Sequence, residues 1–223
     1  MLSNYGTNNI IVMLLMAVIL ISCGVYFLNN KIASVLFFIS GALLFLFTLW
    51  FFRDPERTVP EEARRDHSLI VSPADGKIVE IVEEDEVHYL KNKSKRISIF
   101  LSPLDVHVNR SPVTGVVEFY NYNPGKYIIA NHPKASELNE QSYIGVKTQY
   151  GKVFFKQIVG IVARRLVCDL QVGDTVAAGD RFGMMKFGSR MDIAVFPDTE
   201  IFVKIGDRVV AGETIIAKLN KKS

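Results

Sequence analysis

The first 52 residues are apolar almost throughout. Residues 10–28 and 32–52 form two uncharged hydrophobic runs, and Lys31 is the single charged side chain before Arg53. A helix needs about 20 residues, at ~1.5 Å each, to cross about 30 Å of hydrocarbon. Both runs meet that length. Asn29-Asn30-Lys31 between them is a short polar turn, so the pattern predicts a helical hairpin over 1–52 with both ends on one side of a membrane. Trp50-Phe51-Phe52 closes the second run, and Arg53, Arg57, Arg64 and Arg65 follow. Aromatic residues favour the interface and basic residues the cytoplasmic flank. The remainder of the chain is therefore expected on the cytoplasmic side of the cell membrane. Two other readings stay open. One is a cleaved signal peptide, although residues 1–9 hold no basic side chain. The other is a hairpin that dips into a single leaflet.

The pattern changes after a charged, Pro-containing linker at 53–68. After residue 53, no stretch sustains a 3.6-residue apolar period. Short β-branched runs take over at 69–71 and 77–82, and residues 96–101 alternate, with Ile97, Ile99 and Leu101 on one face. Runs at 113–120, 143–150, 153–162, 181–185 and 191–196 continue the style. Pro73, Gly76, Pro103, Pro112, Gly115, Pro124, Gly125 and Gly151 punctuate them. The fold expected over 69–223 is mainly β, a compact β-sandwich or barrel-sandwich with at most short helices. A weak internal repeat lies near its end: Gln-Val-Gly-Asp-Thr-Val-Ala-Ala-Gly-Asp at 171–180 resembles Lys-Ile-Gly-Asp-Arg-Val-Val-Ala-Gly-Glu at 204–213. In each, Gly-Asp suits a tight turn and the valine a core position. Such paired units are typical of biotinyl and lipoyl carrier domains.

Charge and cysteine content remove several function classes. A net charge of +3, without a basic stripe interleaved with aromatics, argues against a nucleic-acid partner. Cys23 falls inside an apolar run, so no disulfide to Cys168 is expected. The four histidines and two cysteines show no metal-ligand spacing, and no metal is expected.

Chemistry concentrates in Met184-Met185-Lys186-Phe187-Gly188-Ser189-Arg190, between two β-like runs that are expected to form a hairpin with Gly188-Ser189 at its tip. No Gly-x-Ser-x-Gly hydrolase signature is present. Two chemical readings compete with a bland turn. Met185-Lys186-Phe187 resembles the Met-Lys-Met of a biotinyl domain, which would make Lys186 the modified residue of a membrane-tethered carrier. Alternatively, Gly188-Ser189 is a self-cleavage point. The Ser189 hydroxyl would attack the Gly188 carbonyl, the amide would shift to an ester, and loss of the Ser189 α-proton would release the upstream chain and leave a pyruvoyl cap. A serine hydroxyl needs an activating base with an orienting partner. Candidates are Asp75, in Ser72-Pro73-Ala74-Asp75-Gly76, and His107, between Pro103 and Pro112. Asp105 shares a strand face with His107. A non-enzymatic membrane adaptor built on the repeated β unit is a third reading.

Taken together, Phe51-Phe52-Arg53-Asp54-Pro55, Pro73-Ala74-Asp75-Gly76, Leu104-Asp105-Val106-His107-Val108-Asn109-Arg110-Ser111-Pro112, Pro124-Gly125-Lys126, Asn139-Glu140 and Phe187-Gly188-Ser189-Arg190 resemble the phosphatidylserine decarboxylase family in its short bacterial and archaeal form. The resemblance implies a lyase proenzyme that cuts itself between Gly188 and Ser189. The β chain would be 1–188 and the α chain 189–223, beginning with the pyruvoyl group made from Ser189. It implies roles for Asp75 and His107. It implies decarboxylation of phosphatidylserine to phosphatidylethanolamine through a Schiff base on the pyruvoyl carbonyl, with His107 returning the proton. The partners expected are phosphatidylserine, membrane lipid and a second copy of the chain in a homo-oligomer. Two departures stand out. Arg110 occupies the place where the longer branch carries a second histidine of an Asp-His-Ser relay, so His107 would serve in both maturation and turnover. Gln141 follows Asn139-Glu140 where an arginine is common. Arg164 and Arg165, and similarly Lys126, are candidates for the lipid phosphate or an anionic membrane surface, against a bland reading as solvated charges at a strand end.

Overall fold

The computed structural model describes residues 1–125, 139–160, 166–186 and 189–220. The chain divides into two compact units, Met1–Glu56 and Arg57–Ser223.

The first unit is a helical hairpin, α1 (Thr7–Tyr26) and α2 (Lys31–Phe51), and both helices are long and apolar enough to cross a membrane. The Asn30 side chain caps α2 by accepting the Ala33 N–H at 3.2 Å. Where the helices meet, side chains are small. A Cβ on Gly41 would press on Ile21, and one on Gly24 on the Phe38 ring. Ser34 donates its hydroxyl to the Gly24 carbonyl at 2.8 Å. The outward faces stay apolar, with Leu15, Val18, Ile19, Leu36, Leu43 and Leu46 exposed. Small residues inside and large apolar ones outside are the packing of helices that meet in lipid. Phe51-Phe52-Arg53-Asp54 closes the base: the Ser3 N–H donates to the Phe52 carbonyl at 2.8 Å and the Asp54 N–H to the Met1 carbonyl at 2.7 Å.

Among the described residues the second unit holds one short helix, α3 (Glu61–Arg65), and fourteen strands. They are β1 (Leu69–Val71), β2 (Gly76–Glu86), β3 (Asn92–Leu101), β4 (Val108–Arg110), β5 (Gly115–Asn123), β6 (Gln141–Thr148), β7 (Gly151–Val159), β8 (Leu166–Cys168), β9 (Thr175–Val176), β10 (Arg181–Met185), β11 (Ser189–Val195), β12 (Glu200–Ile201), β13 (Arg208–Val209) and β14 (Ile215–Lys218). The mainly β architecture agrees with the sequence pattern. An eight-stranded antiparallel sheet runs β13-β2-β3-β11-β7-β6-β5-β9, and two small sheets run β1-β14-β12 and β4-β10-β8. Ile97, Ile99 and Leu101, placed on one face by their alternation, are buried in the main core with Met191, Ile193 and Phe155.

The large sheet reads the same from both ends. Strands β13, β2, β3 and β11 match β9, β5, β6 and β7, and the two small sheets match each other. Hydrogen bonds repeat accordingly. The Gly206 N–H donates to the Ile78 carbonyl and the Gly173 N–H to Val117, both at 2.8 Å; Gly212 donates to Ser72 and Gly179 to Ser111, again at 2.8 Å. The unit is a duplication in which the second copy, β4 to β10, is inserted into the first between β3 and β11. The repeat at 171–180 and 204–213 is one part of it. The other part, visible once the topology is known, aligns Asp66, Ser72-Pro73 and Gly76 with Asp105, Ser111-Pro112 and Gly115. A Cβ at Gly76 or Gly115 would overlap the carbonyl of Phe100 or Lys147 on the neighbouring strand, which explains both glycines.

This topology corrects one expectation. Strands β10 and β11 are not the arms of a hairpin with Gly188-Ser189 at its tip. Strand β10 lies between β4 and β8, and β11 lies between β3 and β7. Between them the chain crosses from the inserted copy back to the first. The segment read as a linker is packed from Arg57 on: Arg57 pairs with Asp75 at 2.8 Å and Lys218 with Asp66 at 3.1 Å. Strand β10 also approaches β8 so closely at Gly183 that a Cβ there would overlap the Val167 carbonyl. Gly183→Ala is accordingly expected to destabilise the protein by about 1–3 kcal/mol, the usual scale of overpacking, seen as a lower urea midpoint with an unchanged slope.

Candidate active site

Ser189 opens β11, a central strand, paired with Leu101 of β3 and Val159 of β7. Strand alternation turns its side chain to the core face with Met191, Ile193 and Val195. Ser189 is 0% exposed, and its hydroxyl has no hydrogen-bond partner among the described residues. A buried polar group left without a partner costs about 1–3 kcal/mol. An alanine would fill the same place between two aliphatic neighbours without that cost. Packing alone does not account for this hydroxyl; a reacting group would.

His107 is fully buried one residue before β4. Its carbonyl accepts the Met185 N–H at 3.2 Å, which fixes it at the end of β10, four residues before Ser189. In the other copy the equivalent bond runs from Leu219 to Ser68, so the histidine belongs to the inserted copy alone.

A chain of buried amides, which sequence reasoning passed over, runs beside this end of the sheet. Gln157 on β7 donates its Nε2 to the Val167 carbonyl at 3.3 Å and to Asn109 Oδ1 at 2.8 Å, while its Oε1 accepts the Ser142 hydroxyl at 2.7 Å. A carbonyl can only accept. Val167 therefore sets which way the Gln157 amide points, and Gln157 sets Asn109. The Asn109 Nδ2 is left as a buried donor without a partner among the described residues. The available signal was Gln157 itself, a polar residue on the core-facing side of a strand between Phe155 and Val159. Nearby, burial pushes the Cys168 thiol up to about 11 and the Tyr120 hydroxyl to about 12, so neither is a base near neutral pH.

Asp75 lies at the same end of the large sheet, two strands from β11. Residues Lys77, Phe100 and Arg190 form one row across β2, β3 and β11, so the separation is roughly 10 Å by strand spacing. Its Oδ1 accepts the Ala211 N–H at 2.8 Å, and its Oδ2 pairs with Arg57 at 2.8 Å. In the inserted copy Thr114 does the first of these jobs, accepting the Ala178 N–H at 3.0 Å. Arg110 is at this end too and donates to the Gly179 carbonyl at 2.9 Å. Asp105 accepts the Ser102 N–H at 2.8 Å and pairs with Arg208 at 3.2 Å.

The Pro-Gly and Asn-Glu pieces also converge here. Gly125 has φ +40 and no room for a Cβ against the Asn139 backbone. Asn139 in turn donates its side-chain amide to the carbonyl of Val159, the neighbour of Ser189, at 2.7 Å. Gly188, Lys126, Arg164 and Arg165 lie outside the described residues. Among the described residues, no cluster of His, Cys, Asp and Glu is placed to hold a metal ion.

A family model for phosphatidylserine decarboxylase matches residues 44–217, from within α2 to the last small strand. The chain belongs to the phosphatidylserine decarboxylase family. Relatives named phosphatidylserine decarboxylase proenzyme include one from Salinibacter ruber, 56% identical over 174 residues, or 78% of this chain and 76% of the relative. One from Chlorobium phaeobacteroides is 42% identical over 217 residues, covering 97% of this chain and 98% of its own. One from Amoebophilus asiaticus is 44% identical over 213 residues, covering 95% and 92%. Membership in the phosphatidylserine decarboxylase family extends over both copies of the β unit, far more chain than a carrier domain needs. Lys186, the residue of the carrier reading, is 6% exposed. A carrier lysine must reach into a second active site, so this burial speaks against that role.

Proposed function

We propose that this protein is a self-processing proenzyme that decarboxylates phosphatidylserine to phosphatidylethanolamine and carbon dioxide at the cytoplasmic side of the cell membrane. The observation that carries the reading is the fully buried Ser189 hydroxyl, which has no partner among the described residues, at the head of a strand held on both sides. Family membership and the two apolar helices support it.

In maturation the Ser189 hydroxyl attacks the Gly188 carbonyl, and the amide becomes an ester with a free Ser189 amine. Removal of the Ser189 α-proton expels the Gly188 carboxylate, which ends the β chain. Water then replaces the amine of the resulting dehydroalanine, ammonia leaves, and residue 189 becomes the pyruvoyl group. Once formed, that group supplies a carbonyl that condenses with a primary amine and an electron sink for the bond to the departing carboxylate.

The chain's own residues do the rest. His107 is the base of maturation and the acid that returns a proton to the substrate carbon after carbon dioxide leaves. Leu101 and Val159 keep water from the reacting residue. Asp75 is a positioning residue, holding Arg57 and the backbone at Ala211. The α chain, 189–223, supplies β11, β12, β13 and β14 to two sheets, so the two chains stay together after the cut. The hairpin keeps the enzyme with a substrate whose acyl chains never leave the bilayer.

The test is to incubate detergent-solubilised full chain with mixed micelles of phosphatidylserine. Phosphatidylethanolamine and carbon dioxide should appear in equal amounts. Absence of both from fully processed protein overturns the assignment.

A further inference from the structure

The face of the large sheet opposite the Ser189 side chain carries buried charges that the reaction does not use. Arg190 follows Ser189 and points to that face. Its guanidinium forks onto Asp192, Nε to Oδ1 at 2.6 Å and NH2 to Oδ2 at 3.0 Å, and reaches Glu80 of β2 at 3.4 Å. Arg190 is 6% exposed and Asp192 1%. Arg96 of β3 binds Glu80 at 2.7 Å and Glu84 at 2.8 Å, and lies 3.8 Å from Asp192; Lys156 of β7 is also 3.8 Å from Asp192. Burial alone would raise Asp192, yet the charges of Lys156, Arg190 and Arg96 hold it below the usual carboxylate range.

Buried ion networks are often no more stabilising than apolar packing of the same volume. The duplication offers an internal comparison. Ser189 opens β11 opposite Leu101, the last residue of β3; Gly151 opens β7 opposite Thr148, the last residue of β6. Strand β7 is tethered at that point by a tight turn, where Thr148 Oγ1 donates to the Gly151 carbonyl at 2.9 Å. The residue that matches Arg190 is Lys152, which lies over the Tyr89 ring at 4.6 Å. Around it the same face is aromatic, built from Tyr89, Phe119, Tyr143 and Phe154. Around the strand that stays covalently joined the buried packing is thus aromatic, and its ion pair, Lys147 with Glu118 at 3.3 Å, lies at the more exposed edge. The copy whose strand is to be cut carries a charged fork.

We propose that Arg190, Asp192 and Glu80 form a clamp that holds the new end of β11 after cleavage, keeping residue 189 in its row between Leu101 and Val159. The inference rests on the cleavage reading. Chain ends fray unless tied down. Arg190 ties this one both to its own strand and to β2, across the intervening β3. It is a positioning residue, acting through the place of residue 189.

The test uses Arg190→Lys in the full chain, which keeps the charge but loses the fork, and the same change in the uncut Ser189→Ala background. Backbone hydrogen exchange of the peptide that begins at residue 189 is followed, together with kcat and KM. In the cut protein, exchange should rise at least tenfold and kcat should fall at least tenfold with little change in KM. In the uncut background, exchange should stay at the parental rate. Equal loosening in cut and uncut protein overturns the clamp, and so does unchanged exchange in the cut protein. A parent that is never cut overturns the cleavage reading and the clamp with it. Glu80→Gln, at a half-exposed side chain, provides a milder variant with the same expected direction should Arg190→Lys fold poorly.

Discussion

Ser189→Ala is expected to remain a single chain, to release no carbon dioxide from phosphatidylserine, and to be no less stable than its parent. The first two outcomes follow from the proposed chemistry, in which the hydroxyl both performs the cut and becomes the electrophile. The third comes from packing. The hydroxyl is buried between Leu101 and Val159, without a partner among the described residues. Removing it relieves a penalty of about 1–3 kcal/mol, which should raise the urea midpoint relative to any uncut wild-type precursor. A serine kept for structure would give the opposite pattern, with stability lost and the chain's fate unaltered. Decarboxylation by this variant would remove the pyruvoyl mechanism outright.

His107→Gln should lower decarboxylation by about 10²–10⁴-fold, the range of general acid–base catalysis, and should slow maturation as well. The contact that fixes residue 107 to Met185 is made by its backbone carbonyl. A glutamine keeps that bond and a comparable polar volume, so the loss reads on the imidazole. Measuring the uncut fraction alongside turnover of the cut fraction separates the two roles. If the cut fraction of this variant turns over at the parental rate, His107 is not the proton donor of the reaction.

Much of this molecule is legible from local pattern. The two apolar runs give α1 and α2 within a few residues. Ile97, Ile99 and Leu101 declare the buried face of β3. Elsewhere the deciding contacts join residues far apart in the chain. Gln157 reads as an interruption in a strand until Asn109 and Val167 are brought to it from β4 and β8. Asp75 is legible as a turn residue, but its partner Arg57 sits in a stretch that composition marks as linker. The duplication escaped because its halves interleave: Ser72-Pro73 and Ser111-Pro112 precede different strands, while 171–180 and 204–213 return much later. The same interleaving explains the hairpin expectation. Adjacent strands usually pair, but β10 and β11 belong to different copies.

The most direct test of the central claim is intact-mass and N-terminal analysis of purified full-length protein after denaturation. The account predicts two fragments, residues 1–188 and 189–223. The smaller should be closed to N-terminal degradation and lighter than its serine form by one ammonia. A single chain of unmodified mass, in a preparation that decarboxylates phosphatidylserine, would contradict it.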